Sequence, residues 1–120
     1  MQSNTFKQLV EKRIESYKGK LFGDKEIEYA RNDDRLHNFK VAARMDNETP
    51  ERSLWGMWKK HIVSIKDMID DLGKVTETEI QCVYPKVYPK DESITEKFDD
   101  MHNYLHLLEA LIQERKSRLL

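Results

Sequence analysis

The chain has 120 residues, 38% of them hydrophobic and 36% charged, with a net charge of −1 and the two signs interspersed. That length admits one domain around one core, and the missing basic field argues against a nucleic acid as partner. With 3 prolines and 4 glycines the chain is poor in the punctuation that many-stranded folds require. No stretch approaches the ~20 apolar residues of a membrane span. The single cysteine, Cys82, cannot form an intrachain disulfide, which fits a reducing compartment. Met1 is followed by Gln2, Ser3 and Asn4 without an apolar leader, so the expected location is cytoplasmic, with no contact with the membrane. The expected fold is all-α: one domain over 1–120, a small bundle of about four helices with a long extended connection before the last.

Phe6, Val10, Ile14, Tyr17 and Leu21 recur at helical spacing and define one face of a first helix, which breaks at Leu21-Phe22-Gly23. From Asp24 to Met45 the composition is helical but crowded with charge and amides over Arg31–Arg35, which predicts an interruption near Asn32. Leu36, Phe39, Ala42 and Ala43 then form a short apolar seam.

The next helix carries its own signals. Thr49 can cap it, Pro50 suits its first position, Glu51 favours the positive end of the dipole, and Gly73 stands where it should stop. Leu54, Trp58, Ile62, Ile65, Ile69 and Leu72 form its stripe. Val83-Tyr84-Pro85-Lys86 then recurs as Val87-Tyr88-Pro89-Lys90, and residues before proline avoid the helical region. Residues 76–90 are therefore expected to be an extended arm or loop.

The last helix is expected to open on a capping box, Ser93-Ile94-Thr95-Glu96. Ile94, Phe98, Met101, Leu105, Leu108 and Ile112 make its principal stripe, and Tyr104, Leu107, Ala110 and Leu111 widen it. An arc this wide calls for cover on two sides, and in so small a domain the second cover is expected to be another copy of the chain.

Polar residues on that helix carry the chemical signal. Glu96, Asp100 and Asn103 share one strip that runs on into Leu107 and Ala110, so two carboxylates one turn apart and an amide could hold a hard cation through oxygen. Glu96 alternatively closes the capping box. On the preceding helix Lys60, Ser64, Asp67 and Asp71 share a strip with His61 beside it. Asp67 and Asp71 could bring a second carboxylate pair to the same Mg²⁺, or belong to a solvated face, since they lie nearly opposite the apolar stripe. Around Arg31–Lys40, Arg35 could reach phosphate, Asn38 a base edge, and Phe39 or Tyr29 could stack on a base; a solvated charged turn is the competing account. The histidines form no zinc pattern, and no P-loop, G-x-G-x-x-G or G-x-S-x-G is present.

Glu28-Tyr29-Ala30, Asp34-Arg35-Leu36 and Asn38-Phe39-Lys40 resemble the opening of a group of short phage and prophage proteins. The likeness continues in Thr49-Pro50-Glu51, Lys60-His61, Ser64-Ile65, Glu96-Lys97, Asp100 and Asn103-Tyr104-Leu105, covering about 25–72 and 93–112. The group is that of the nucleotide-modification-associated domains, similar to the all-α, MazG-like nucleoside triphosphate pyrophosphohydrolases. The resemblance implies Mg²⁺-dependent cleavage of an NTP or dNTP to the monophosphate and pyrophosphate, in a dimeric or tetrameric bundle whose metal-binding carboxylates come from two helices. Asp100 and Tyr104 match the end of the family's Glu-x-x-Asp motif and its following apolar run. Lys97 stands in place of that Glu, with Glu96 adjacent, and Asp67, Asp70 and Asp71 are the replacements for an absent Glu-Glu-x-x-Glu.

The implied metal set is Asp67, Asp71, Glu96 and Asp100, and the implied nucleotide set is Arg35, Asn38, Phe39, Lys60, His61, Asn103 and Tyr104. The expected function is accordingly that of a nucleotide-handling, phage-type protein, a Mg-dependent pyrophosphohydrolase acting in the host cytoplasm. The alternatives are a non-catalytic binder of a nucleotide or signalling nucleotide, acting as a phage sponge or regulator, or a protein-binding phage factor whose Val-Tyr-Pro arm docks on a host target.

Overall fold

A computed structural model of the chain describes residues 1–23, 30–73 and 89–119. It is a small all-α bundle: α1 (Ser3–Leu21), α2 (His37–Met45), α3 (Pro50–Gly73) and α4 (Asp91–Leu119), with no strand among the described residues. The expected arm falls, as far as residue 88, outside the described residues, as do Tyr29 and Cys82. Pro89 and Lys90 are irregular and lead straight into α4.

The interruption near Asn32 is a tight turn. Asn32 and Asp33 take left-handed backbone angles (φ 53° and 60°), which Asn and Asp tolerate better than other non-glycine residues. The Asp34 amide donates to the Arg31 carbonyl at 2.9 Å and closes the turn. Asp34 Oδ1 then accepts the Leu36 amide (3.0 Å) and its Oδ2 the Lys40 ammonium (2.7 Å), which pins the start of α2. That helix ends in a second left-handed residue, Asn47 (φ 53°), with the Glu48 amide returning to the Ala43 carbonyl. This is the paired bonding that satisfies the last carbonyls of a helix.

Thr49 accepts the Arg52 amide and Pro50 opens α3, which runs to Gly73 as its signals predict. The opening of α4 differs from expectation. It starts at Asp91, with the Ile94 amide bonded to the Lys90 carbonyl, so Ser93 and Glu96 lie inside the helix and form no capping box. Asp91 and Glu92 occupy the first turn, where the dipole favours negative charge.

The core is short and sits where α2, α3 and the C-terminal half of α4 meet. Leu36, Phe39, Leu54, Leu107 and Leu111 are buried, with Trp58, Tyr104 and Leu108 packed against them. α3 runs antiparallel to α4, tied by Glu51–Arg115, by Trp58 Nε1 donating to the Met101 sulfur (3.0 Å) and by Lys97–Ser64. α1 lies on the opposite side of α4 and runs parallel to it. The α4 stripe is core only in part: Leu107 and Leu111 are buried with Leu108 packed against them, while Phe98, Leu105 and Ile112 of the principal stripe are 38%, 51% and 51% exposed. The reason is that α4 has two neighbours, and periodicity does not say which one a stripe will meet. α1 itself buries no residue, and Phe6, Val10 and Ile14 stay exposed.

Candidate functional site

Two adjoining pockets flank α4 on its α2/α3 side, and Asp100 lines both. The first, about 320 Å³, has Lys60, His61 and Ser64 from α3 facing Ser93, Glu96, Lys97 and Asp100 from α4. The second, about 200 Å³, has Arg35 and α2 residues Asn38 and Phe39 facing Asp100, Asn103, Tyr104 and Leu107. Such volumes suit parts of a small polar ligand. The antiparallel run of α3 against α4 sets the first pocket, and the Asp34-pinned turn sets the second by holding Arg35 and α2 beside Asn103.

The two pockets differ in chemistry. The first holds two lysines and a histidine with two carboxylates one helical turn apart. His61 Nδ1 lies 3.8 Å from Asp100 Oδ2, and its ring contacts Tyr104 with centroids 4.9 Å apart. Burial, the largest influence, pushes the Asp100 carboxyl above the usual carboxylate range. Glu96 and Asp99 add to that, while His61 and Lys20 oppose it. The second pocket is aromatic and amide-lined. Asn103 Oδ1 is buried there without a hydrogen-bond partner among the described residues, and a desolvated acceptor left unsatisfied is costly.

The structure thus brings Arg35, Asn38, Phe39, Lys60, His61, Glu96, Asp100, Asn103 and Tyr104 to adjoining pockets. Asp67 and Asp71 are exposed and line neither. Among the described residues no group of three or more His, Cys, Asp or Glu side chains is arranged to hold a metal ion, so the expected convergence of two carboxylate pairs is not formed there. The solvated-face account of Asp67 and Asp71 describes their position: Lys60 and Ser64 of the same strip face α4, while these two carboxylates, further along α3, are exposed. Lys97 and Ser93 join the site without having been singled out for binding. The signal for Lys97 was its place one turn before Met101 and beside Glu96 on the polar strip.

Asp99 is the residue that sequence reasoning missed. Its neighbour Asp100 faces the pockets, and the strip of Glu96, Asp100 and Asn103 leaves Asp99 out. Its side chain is instead completely buried against α1. Arg13 donates to Oδ1 at 2.9 Å, Ser16 donates to Oδ2 at 2.5 Å, and the Lys20 ammonium lies 3.2 Å from Oδ2. Burial works against the ionised form, but the bonds from Ser16, Arg13 and Lys20 outweigh it and hold this carboxyl below its ordinary range. Beside the cluster Tyr17 stacks on His102 at 4.6 Å and tilts against His106 at 5.7 Å. Thr95, Asp99, His102 and His106 form a second polar strip on α4, matched by Arg13, Ser16, Tyr17 and Lys20 on α1. Two complementary polar strips at helical spacing were the available signal.

No protein-family model, no curated protein and no solved structure matches this chain. No helix among the described residues is long and apolar enough to cross a membrane.

Proposed function

We propose that this chain handles a nucleotide, with phosphates against Lys60 and Lys97 and the base against Phe39 and Tyr104. The observation that carries the reading is that Asp100 lines both a cationic pocket and an aromatic one. A ligand with a charged end and a flat polar end fits that pair, and the likeness of these same positions to nucleotide-handling phage proteins supports it.

Mg²⁺-dependent pyrophosphohydrolysis of an NTP or dNTP is the reaction that the likeness supports. Glu96 and Asp100 would be the protein ligands, since Mg²⁺ binds through one or two carboxylates when substrate phosphates and water complete its shell. Bound there, the ion would supply charge stabilisation at the phosphates. Lys60 and Lys97 neutralise phosphate oxygens directly, and His61 lies close enough to Asp100 to stabilise its carboxylate when protonated. Binding without cleavage is the second reading. It is favoured by the two lysines in the pocket and by the presence of only two carboxylates there among the described residues.

Calorimetry with each NTP and dNTP, with and without Mg²⁺, beside an assay for released pyrophosphate, separates these outcomes. Turnover supports the hydrolase, tight binding without turnover leaves the binder, and no binding overturns both. We also propose that copies of the chain associate through α1 and the outer face of α4. Leu9, Val10, Ile14 and Phe98 line an apolar groove of about 290 Å³ there. Light scattering that returned the monomer mass of 14.4 kDa at micromolar concentration would refute this association.

A further inference from the structure

The pocket between α2 and α4 has a polarity that selects among bases. We infer that Asn103 Oδ1 accepts a hydrogen bond from the exocyclic amino group of a nucleobase, so that the site prefers amino-bearing bases over those carrying only carbonyls at that edge. The inference rests on the nucleotide reading above and adds to it which bases bind.

Two observations converge. Asn103 Oδ1 is a buried acceptor with no hydrogen-bond partner among the described residues, in the wall of a pocket that also presents Phe39 and Tyr104. The terminal torsion of an asparagine is broad and soft, so a small rotation turns this oxygen toward a ligand in the pocket. One turn earlier on the same face of α4, three residues away, the Asp100 carboxylate lines the same pocket. Both groups present oxygen. A carbonyl set between these two meets acceptors on both sides, since the donors of the pocket, Arg35 and the Asn38 amide, belong to the facing wall. An amino group satisfies Asn103 and is favoured by the negative potential of Asp100. A site whose polar groups are left unpaired by the wrong ligand discriminates more strongly than an apolar one.

The test uses ligand pairs that exchange one amino group for one carbonyl: CTP against UTP, and ATP against ITP, with inorganic tripolyphosphate as the phosphate-only probe. In the wild-type chain the amino member of each pair should bind about five- to a hundredfold more tightly. Asn103→Leu should collapse the preference while leaving tripolyphosphate binding in place. Asn103→Asp, which keeps an acceptor oxygen, should retain it and covers the case in which the leucine variant fails to fold.

Equal affinity within the pairs, a preference for the carbonyl member, or a preference that survives Asn103→Leu would overturn the assignment while the nucleotide reading stands. Nucleotides that bind no better than tripolyphosphate would remove the base pocket itself, and with it both readings.

Discussion

The two faces of α4 use adjacent aspartates in opposite ways. On the α1 face Asp99 is fully buried, has three partners, and is held below its ordinary range. On the α2/α3 face Asp100 is partly exposed, has the His61 ring nitrogen at 3.8 Å, and is pushed above that range. About 100° of helix rotation separates them. The contrast teaches that burial alone does not set a carboxylate's role. What matters is whether donors on the facing helix answer the charge, as Arg13, Ser16 and Lys20 do for Asp99. Where they do not, the charge is left at a cost in stability, which is a common property of sites that wait for a ligand.

The largest expected effect breaks the first face. Asp99→Ala leaves the Arg13 guanidinium, 14% exposed, without a carboxylate to answer its charge, with only the Thr95 oxygens still accepting from it. Disrupting such a pair costs about 3 kcal/mol, which lowers the unfolding temperature by on the order of 10 °C. Asp99→Asn is consequently no neutral control for Asp100→Asn. A thermal scan that left the Asp99→Ala midpoint unchanged would break the comparison at its root.

Next is Asp100→Asn, which removes a charge that the fold disfavours. Its unfolding temperature should equal or exceed that of the wild type, while Mg²⁺-dependent nucleotide affinity falls about tenfold or more. Loss of stability together with loss of binding would make Asp100 a structural residue like its neighbour.

The pH dependence follows from the same pair. A carboxyl whose folded pKa lies below its unfolded value stabilises the fold fully above that unfolded value, near 3.8 for Asp99, and loses the contribution as pH falls through the folded pKa. Acid titration of unfolding should therefore show a loss as pH falls below 3.8 that Asp99→Asn diminishes. Asp100 has the reverse sign. Its raised pKa favours the fold below the unfolded value, and that contribution fades as pH rises through the folded one. Asp100→Asn should steepen the acid loss slightly.

The smallest effect is expected far from both faces. Lys66 bonds Asp70 at 2.7 Å one turn away on the exposed side of α3. Lys66→Ala should leave the unfolding midpoint within measurement scatter, because exposed pairs one turn apart contribute little.

Much of the architecture was legible because local signals act locally. Thr49, Pro50 and Gly73 bound α3 with no help from the rest of the chain, and the amide-rich run at Asn32 became a left-handed turn. What was not legible depends on partners distant in sequence. Ser93-Ile94-Thr95-Glu96 has the composition of a cap, yet the helix starts two residues earlier, with Asp91 and Glu92 in its first turn. The stripe through Phe98, Leu105 and Ile112 looks like a core face, yet the core forms on Leu107 and Leu111, because α4 packs on α3 through that side. For the candidate site, the strip rule grouped Glu96, Asp100 and Asn103 as they occur. The same rule grouped Asp67 and Asp71 with Lys60 and Ser64, yet only the latter two line the pocket.

The contact between Arg13 and Asp99 spans 86 positions of sequence. At ribosomal rates of ~5–20 residues per second, about 4–17 s separate the synthesis of these two residues. Throughout that interval α1 lacks its polar anchor, while Phe6, Val10 and Ile14 are exposed both before and after α4 is made. The nascent chain therefore carries an unanchored apolar helix until its last element is made, and a chaperone that grips short apolar segments would find its site near the N-terminus.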